Sequence, residues 1–383
     1  MNQRYYSLDV FRGATVALMI LVNNPGSWSS IYTPIEHATW HGCTPTDLVF
    51  PFFLFAVGNA LAFVMPRFFE KGTGYFLKKV FKRAFLIFAI GLFLNWSPFV
   101  RWDESHLVFK SWNTIRIFGV LQRISLCYLF ASLIVYFFKS RTVIFISAAI
   151  LLSYWLLCYF FGSSADPYSL AGYFGTHVDK ALLGEGHMYA GEGLAFDPEG
   201  IASTLPAIVN VIAGFFTGKY IREKGKSYEM LSTLFIAGAV LIFLAFCWDM
   251  TFPINKKIWT SSYVLYTSGL ALFVLGLLIY IIEFRQIQGK WSRFFDVFGK
   301  NPLFIFFISA FLPRIFALLR WVDHTDKDGK PVYTSALNWF YLHICRPVSD
   351  NLKNGSLLYA ICMVGFYWLI VYLLDKRKIY IRV

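Results

Sequence analysis

Apolar stretches of about twenty residues recur along this 383-residue chain, and that is the length an α-helix needs to cross ~30 Å of hydrocarbon. They run over 8–26, 47–66, 80–97, 117–138, 143–162, 201–221, 230–248, 260–283, 302–319 and 356–374. Backbone facing lipid must satisfy its N–H and C=O groups within its own segment, so these stretches read as helices. The fold class expected is therefore an all-α polytopic membrane protein with about ten transmembrane helices, forming a single transmembrane domain over 1–383. An amphipathic stretch, 333–348, carries Asn338, His343 and Arg346. It reads as a re-entrant or surface helix, and would make an eleventh span only if it crossed.

Composition agrees: 57% of residues are hydrophobic and 15% charged, against about 25% charged in soluble domains. Disorder, collagen and coiled coil are excluded. Cys127, Cys158, Cys247 and Cys362 lie inside apolar runs, and only Cys43 and Cys345 fall near polar loops, so no disulfide framework is expected. Asp9 and Arg12 interrupt the approach to the first apolar run and no small-x-small site follows it, so that run reads as a retained span, not a cleaved signal.

The net charge of +13 would raise nucleic acid as a partner in a soluble protein. Here it sorts by connection. With the N-terminus inside, 22 Lys and Arg fall on the inner side, among them Arg4, Arg12, Lys78, Lys79, Lys82, Arg83, Lys139, Lys219, Arg222, Lys300, Lys376 and Arg382, and 10 on the outer side. That is the positive-inside pattern. It sets both termini in the cytoplasm, names the lipid bilayer as partner and leaves no role for nucleic acid. Two polar segments then fall outside: 27–46, with Glu36, His37 and His41, and the long loop 163–200, rich in Gly, acids and His.

Charges inside spans are costly, which makes Asp9, Arg12, Asp47, Arg116, Arg123 and Arg314 candidate functional groups. Four of them, Asp9, Arg12, Asp47 and Arg116, lie near span ends, where pairing or snorkelling would also account for them. Arg123, preceded by Gln122, must face a cavity, an interior carboxylate or a bound phosphate. His37 and His41 share a helical spacing that a metal could use, but no third ligand is evident and no metal is expected. A structural histidine and an acid–base or nucleophilic catalyst are the other readings. Asn23 and Asn24, ahead of Pro25-Gly26, could aim an amide at an oxyanion or simply end the helix. Asp197-Pro198-Glu199-Gly200 reads equally as a helix N-terminus.

Taken together, the motifs resemble the heparan-α-glucosaminide N-acetyltransferase family of transmembrane acyltransferases and its bacterial relatives. The blocks are Ser7-Leu8-Asp9-Val10-Phe11-Arg12-Gly13 with Val22-Asn23, the run His37 to Pro51, Gly119 to Arg123, Leu182 to Tyr189, Phe196 to Ile201 and Pro253 to Tyr263. The resemblance implies that His37 is the active-site histidine, Asn23 a catalytic asparagine and acetyl-CoA the co-substrate. Position 41, commonly Asn in relatives, is His here. The near-immediate start of the first span favours a bacterial inner-membrane protein, and relatives suggest a homodimer.

On this reading His37, Asn23 and Asp47 are catalytic. Trp40, His187, Asp197, Glu199 and Asn255 bind an amino-sugar acceptor, with Trp40 and Tyr189 available for stacking. Arg12, Gln122, Arg123 and Lys300 hold the donor, with Lys79, Lys82 and Arg83 on the same side. The expected reaction moves acetyl from cytoplasmic acetyl-CoA to the amine of a glucosamine-type sugar on the outer side. The alternative is a transporter or exporter without acyl transfer, whose mark would be inverted repeats or paired broken helices.

Overall fold

The computed structural model describes residues 5–103 and 106–381; Arg4 and Arg382 of the inner basic set lie outside them. In chain order the helices are α1 (Tyr6–Asn23), α2 (Val49–Lys71), α3 (Thr73–Trp96), α4 (Val120–Phe137), α5 (Ser140–Phe161), α6 (Phe174–Leu183), α7 (Ile201–Lys224), α8 (Tyr228–Asp249), α9 (Ser261–Ile279), α10 (Lys290–Lys300), α11 (Pro302–Leu318), α12 (Ala336–Phe340) and α13 (Leu352–Lys376). Two antiparallel hairpins interrupt them, β1 (Val100–Asp103) with β2 (His106–Phe109) and β3 (Arg320–Thr325) with β4 (Pro331–Ser335).

Among the described residues eight helices are long and apolar enough to span a membrane, and a ninth span follows if α10 and α11, bent by 80°, count as one. The tenth stretch expected from sequence is α3. It has the length, 24 residues, but Lys78, Lys79, Lys82 and Arg83 make its first half basic and leave only the second half apolar. The stretch 333–348 does not form one helix: Tyr333–Ser335 belong to β4, and α12 gives way to a π turn, Tyr341–Cys345, and a 3-10 turn, Arg346–Val348. This segment is too short to cross. Its polar side chains are spent locally, Asn338 on Thr334 at 3.0 Å and His343 on Asp323 at 3.4 Å. The segment 163–200 is partly ordered by α6, with Tyr173, Phe174 and Phe196 buried.

The helices divide by what they face. Along its apolar window α7 is 78% buried, whereas α5, α8 and α13 are 22%, 28% and 28% buried; Phe145, Phe160 and Phe243 point outward, as lipid-facing side chains do. Lipid is as apolar as these side chains, so helix contacts there rest on close packing, which small residues permit. The central pair α2 and α7 uses that device: a methyl group on Gly58 would strike the Val211 carbonyl, and one on Gly214 the Phe55 carbonyl. Each of these two helices carries part of the site at its N-terminus.

Proline explains two cross-helix contacts. Within a helix a proline leaves the carbonyl four residues earlier without its N–H donor. Pro66 leaves the Ala62 carbonyl, to which Arg222 of α7 donates. Pro51 leaves the Asp47 carbonyl, to which the buried Tyr263 hydroxyl of α9 donates at 2.6 Å. The second of these fixes the start of α2 against α9 at Asp47.

Candidate active site

Pro25 and Gly26 follow the end of α1, and the chain to α2 is tied to the first turns of α13 and to two other loops. Gly26 N–H and Ser27 N–H donate to Ser356 at 3.3 and 3.0 Å, Trp40 Nε1 donates to the Tyr168 carbonyl at 2.8 Å, and Gly42 N–H donates to the Ile254 carbonyl at 2.7 Å. The loop is therefore held while His37 and Trp40 reach into the interior.

Asp47 organises the site. Thr44 and Asp47 form a capping box on the 3-10 turn Pro45–Leu48. Its Oδ2 accepts from Ala38 N–H at 3.1 Å, Thr44 N–H at 3.0 Å and the Thr44 hydroxyl at 3.1 Å. Its Oδ1 lies 2.6 Å from His37 Nδ1 and 3.5 Å from Lys256 Nζ. An ionised carboxylate only accepts, so Nδ1 carries the proton of this hydrogen bond. Asp47 is 1% exposed and His37 is 40% exposed along its side chain, so the carboxylate sits behind the imidazole and the imidazole meets the cavity.

Lys256 completes the cluster, with Nζ 3.0 Å from His37 Nδ1 and 3.3 Å from Nε2. Asn255 places it. The Asn255 side chain accepts from Ile258 N–H at 3.1 Å, its backbone exchanges hydrogen bonds with Thr260, and its amide lies 3.4 Å from His41 Nδ1. Burial lowers the affinity of the Lys256 ammonium for its proton, against Asp47 and Glu199, which act the other way.

A second charged cluster lies across the cavity at the start of α7. Arg116 makes a two-point pair with Asp197, at 2.9 and 2.5 Å, and also holds Glu199. Its guanidinium stacks on the Tyr189 ring at 4.9 Å. Burial pushes the Glu199 carboxyl upward, but the charges of Arg116 and Arg123 prevail and hold it below its ordinary range. His187 Nδ1 bonds the Ile115 carbonyl at 2.7 Å and Ile117 N–H donates to the His187 carbonyl at 3.0 Å, so His187 braces the segment that carries Arg116.

Between the clusters lies a cavity of about 390 Å³ whose walls include Asn23, His37, Trp40, Asp47, Arg116, Tyr189, Glu199 and Lys256. The Asn23 amide makes no hydrogen bond among the described residues and faces this space. A smaller cavity of about 100 Å³, with Arg12 and Arg83 in its walls, neighbours the first, and Phe53 and Ile124 line both.

Of the residues expected from sequence, the structure brings Asn23, His37, Trp40, Asp47 and Glu199 to one cavity. Asp197, His187 and Asn255 stand behind its wall and position Arg116 and Lys256. Arg12 lines the smaller cavity, donating to Asp9 at 2.6 Å and to the Gly299 carbonyl at 2.7 Å. Gln122, Arg123 and Lys300 line neither cavity. Arg123 is fully buried, stacks on Trp259 at 4.8 Å and donates to Ser203 and to the Gly200 carbonyl. Lys300 pairs with Asp296 at 2.7 Å and Asp375 at 3.1 Å. Lys256 is the residue sequence reasoning missed as a site group. The signal was there: Lys256-Lys257 is a basic pair on the side that positive-inside sorting leaves poor in cations.

Residues 4–237 match the sequence profile of a family described as heparan-alpha-glucosaminide N-acetyltransferase, catalytic. The chain belongs to this family. Curated heparan-alpha-glucosaminide N-acetyltransferases are similar along 99% of the chain, that of Homo sapiens at 28% identity over 437 aligned residues and that of Mus musculus at 25% over 434. The chain spans 60% of the length of each. Within the family match lie α1 to α7, with His37, Asp47, Arg116 and Glu199; Lys256 lies beyond it, in the part of the chain reached only by the pairwise likeness.

Proposed function

We propose that the protein transfers an acetyl group from acetyl-CoA to the amine of a glucosamine-type sugar. The observation that carries this reading is a pair of neighbouring cavities that share Phe53 and Ile124 in their walls, with His37 lining one and Arg12 and Arg83 lining the other. A thioester donor on a long flexible arm needs such a shape: cations for its phosphates at one end, a narrow apolar neck for the arm, and a base where the acyl carbon arrives.

In this mechanism the donor sits with its phosphates toward Arg12 and Arg83. His37 Nε2 accepts a proton from the attacking amine, and Asp47 holds the imidazole in the tautomer that leaves Nε2 free. The Asn23 amide donates to the oxygen that becomes negative as the tetrahedral centre forms. Trp40 and Tyr189 offer faces for a sugar ring, and Glu199 accepts from its hydroxyls. Acetyl-His37 as an intermediate uses the same groups. The cation-rich end of the bundle faces the cytoplasm in this proposal, which puts His37 and the acceptor on the opposite side of what is read as a bacterial inner membrane.

Purified protein in lipid nanodiscs, given labelled acetyl-CoA and a panel of amino sugars, tests the reading. Labelled N-acetyl sugar from wild type and a loss of 10²-fold or more in His37→Ala are expected. Equal transfer by His37→Ala would overturn the assignment. Movement of unmodified sugar across a vesicle membrane without acetylation would point instead to a transporter.

A further inference from the structure

We propose that Lys256 is a site of self-acetylation, taking the acetyl group when no acceptor sugar is present. The inference rests on the proposed reaction and concerns the same cavity. An acceptor amine must come within hydrogen-bond reach of His37 Nε2 to lose its proton there. Lys256 Nζ already lies 3.3 Å from Nε2 and 3.0 Å from Nδ1, on the wall of the same cavity. It is a primary amine, as the amine of a glucosamine is, and it stands where that amine has to stand.

Three features make this lysine different from the others on the same side. Its stem is set by the turn that Asn255 and Thr260 close, so Nζ is delivered to His37 by ordered backbone. Burial favours its uncharged form, the form that attacks a carbonyl. Its neighbour Lys257 has the same chemistry but is paired with Glu192 at 2.7 Å, and its ammonium lies over the Trp40 ring at 5.8 Å.

The step balances without any further reactant. One proton of the Lys256 ammonium passes to His37 Nε2. The freed Nζ lone pair attacks the thioester carbonyl carbon, a C–N bond forms and the C–S bond breaks. The departing thiolate takes the proton from His37, and the second proton lost by the nitrogen goes to solvent. The products are an amide on Lys256 and a free thiol. The amide carries no charge, so the ion pair with Asp47 at 3.5 Å is lost, and the added acetyl group occupies space that an acceptor needs. Self-acetylation therefore silences the site, and an acceptor bound beforehand prevents it.

The experiment is tandem mass spectrometry of the purified full chain after incubation with labelled acetyl-CoA, with and without glucosamine. Without sugar, label is expected on Lys256 at least tenfold above Lys257, with a matching fall in later sugar acetylation; saturating glucosamine should suppress it tenfold. His37→Ala should lower the Lys256 label tenfold, and in Lys256→Arg, whatever its own rate, sugar acetylation should be the same with and without pre-incubation with donor, whereas in wild type pre-incubation lowers it. Equal label on Lys256 and Lys257, or equal Lys256 label in wild type and His37→Ala, would show ordinary chemical acetylation and overturn the proposal. Sugar acetylated while Lys256 stays unlabelled would overturn it and leave the reaction standing. No label on sugar or on Lys256 would overturn both. The wild-type comparison of the two adjacent lysines does not depend on any variant folding.

Discussion

Asp47 is the residue on which the site converges, because one carboxylate receives His37, Lys256, Thr44 and the Ala38 N–H while its own carbonyl receives Tyr263. Asp47→Asn keeps an oxygen for some of these donors but puts an amide where only an acceptor fits, so His37 can turn to the other tautomer. We expect acetyl transfer to fall by about 10²-fold or more with the fold retained, read by the labelled-sugar assay alongside thermal unfolding. Tyr263→Phe isolates the other contact. It removes the hydroxyl that serves a carbonyl deprived of its helical donor by Pro51, and should lower stability by about 1 kcal/mol, measured by unfolding in detergent. His37 and Asn23 were legible from their motifs, and Asp47 from the cost of a carboxylate at a span end. Lys256 left only the weak signal of a basic pair on the cation-poor side, because a lysine beside a loop is ordinarily solvated, and the turn at Asn255 is what turns it inward.

Among elements, the start of α7 holds the most concentrated buried charge. Asp179 of α6, 1% exposed, accepts from the Ile201 N–H at 2.8 Å and faces Asp197. Burial first, and then the Asp197 charge, push its carboxyl up from 3.8 to about 7. The folded state thus binds this proton more tightly than the unfolded chain does. The resulting stability is complete below about pH 4 and is lost as pH rises through about 7. Asp179→Asn keeps an acceptor for Ile201 and removes the titration, so its unfolding temperature should fall less than that of wild type between pH 5 and pH 8. A wild-type profile that ran parallel to the variant's would contradict this. The sequence made Asp197 and Glu199 visible as a helix N-terminus, but α7 begins only at Ile201, with Gly200 at its N-cap, and Asp197 instead closes a local turn by accepting from Glu199 N–H at 3.0 Å. It could not supply Asp179, which arrives from a separate helix. Nor could it foresee the division of 333–348, where β-pairing with β3 competes with the helical pattern.

At the scale of the molecule, hydrophobic length made the bundle readable; α11 passes a strict test only together with α10, and α3 fails it because its first half is basic. Cysteine substitutions in the 163–200 segment and near Lys78 should label from opposite sides of sealed vesicles; labelling from one side would refute the crossing pattern. The wall shared at Phe53 and Ile124, which the proposed donor path must cross, gives a sharper test. Phe53→Trp adds bulk at that shared wall, so KM for acetyl-CoA should rise several-fold while the binding of sugar, followed by thermal shift, stays near wild type.

That shared wall has one more consequence. A bundle that spans a membrane opens its two ends on different waters, and any wet channel between them would let protons and ions run down their gradients. Phe53 and Ile124 offer a passing ion no ligand to replace its hydration shell, so a bare ion meets the cost of entering hydrocarbon there. A flexible organic arm meets no such cost. In the proposed reaction a reactive group thus passes from one side to the other while the bundle stays electrically tight, with no need for the alternating openings by which carriers prevent leaks.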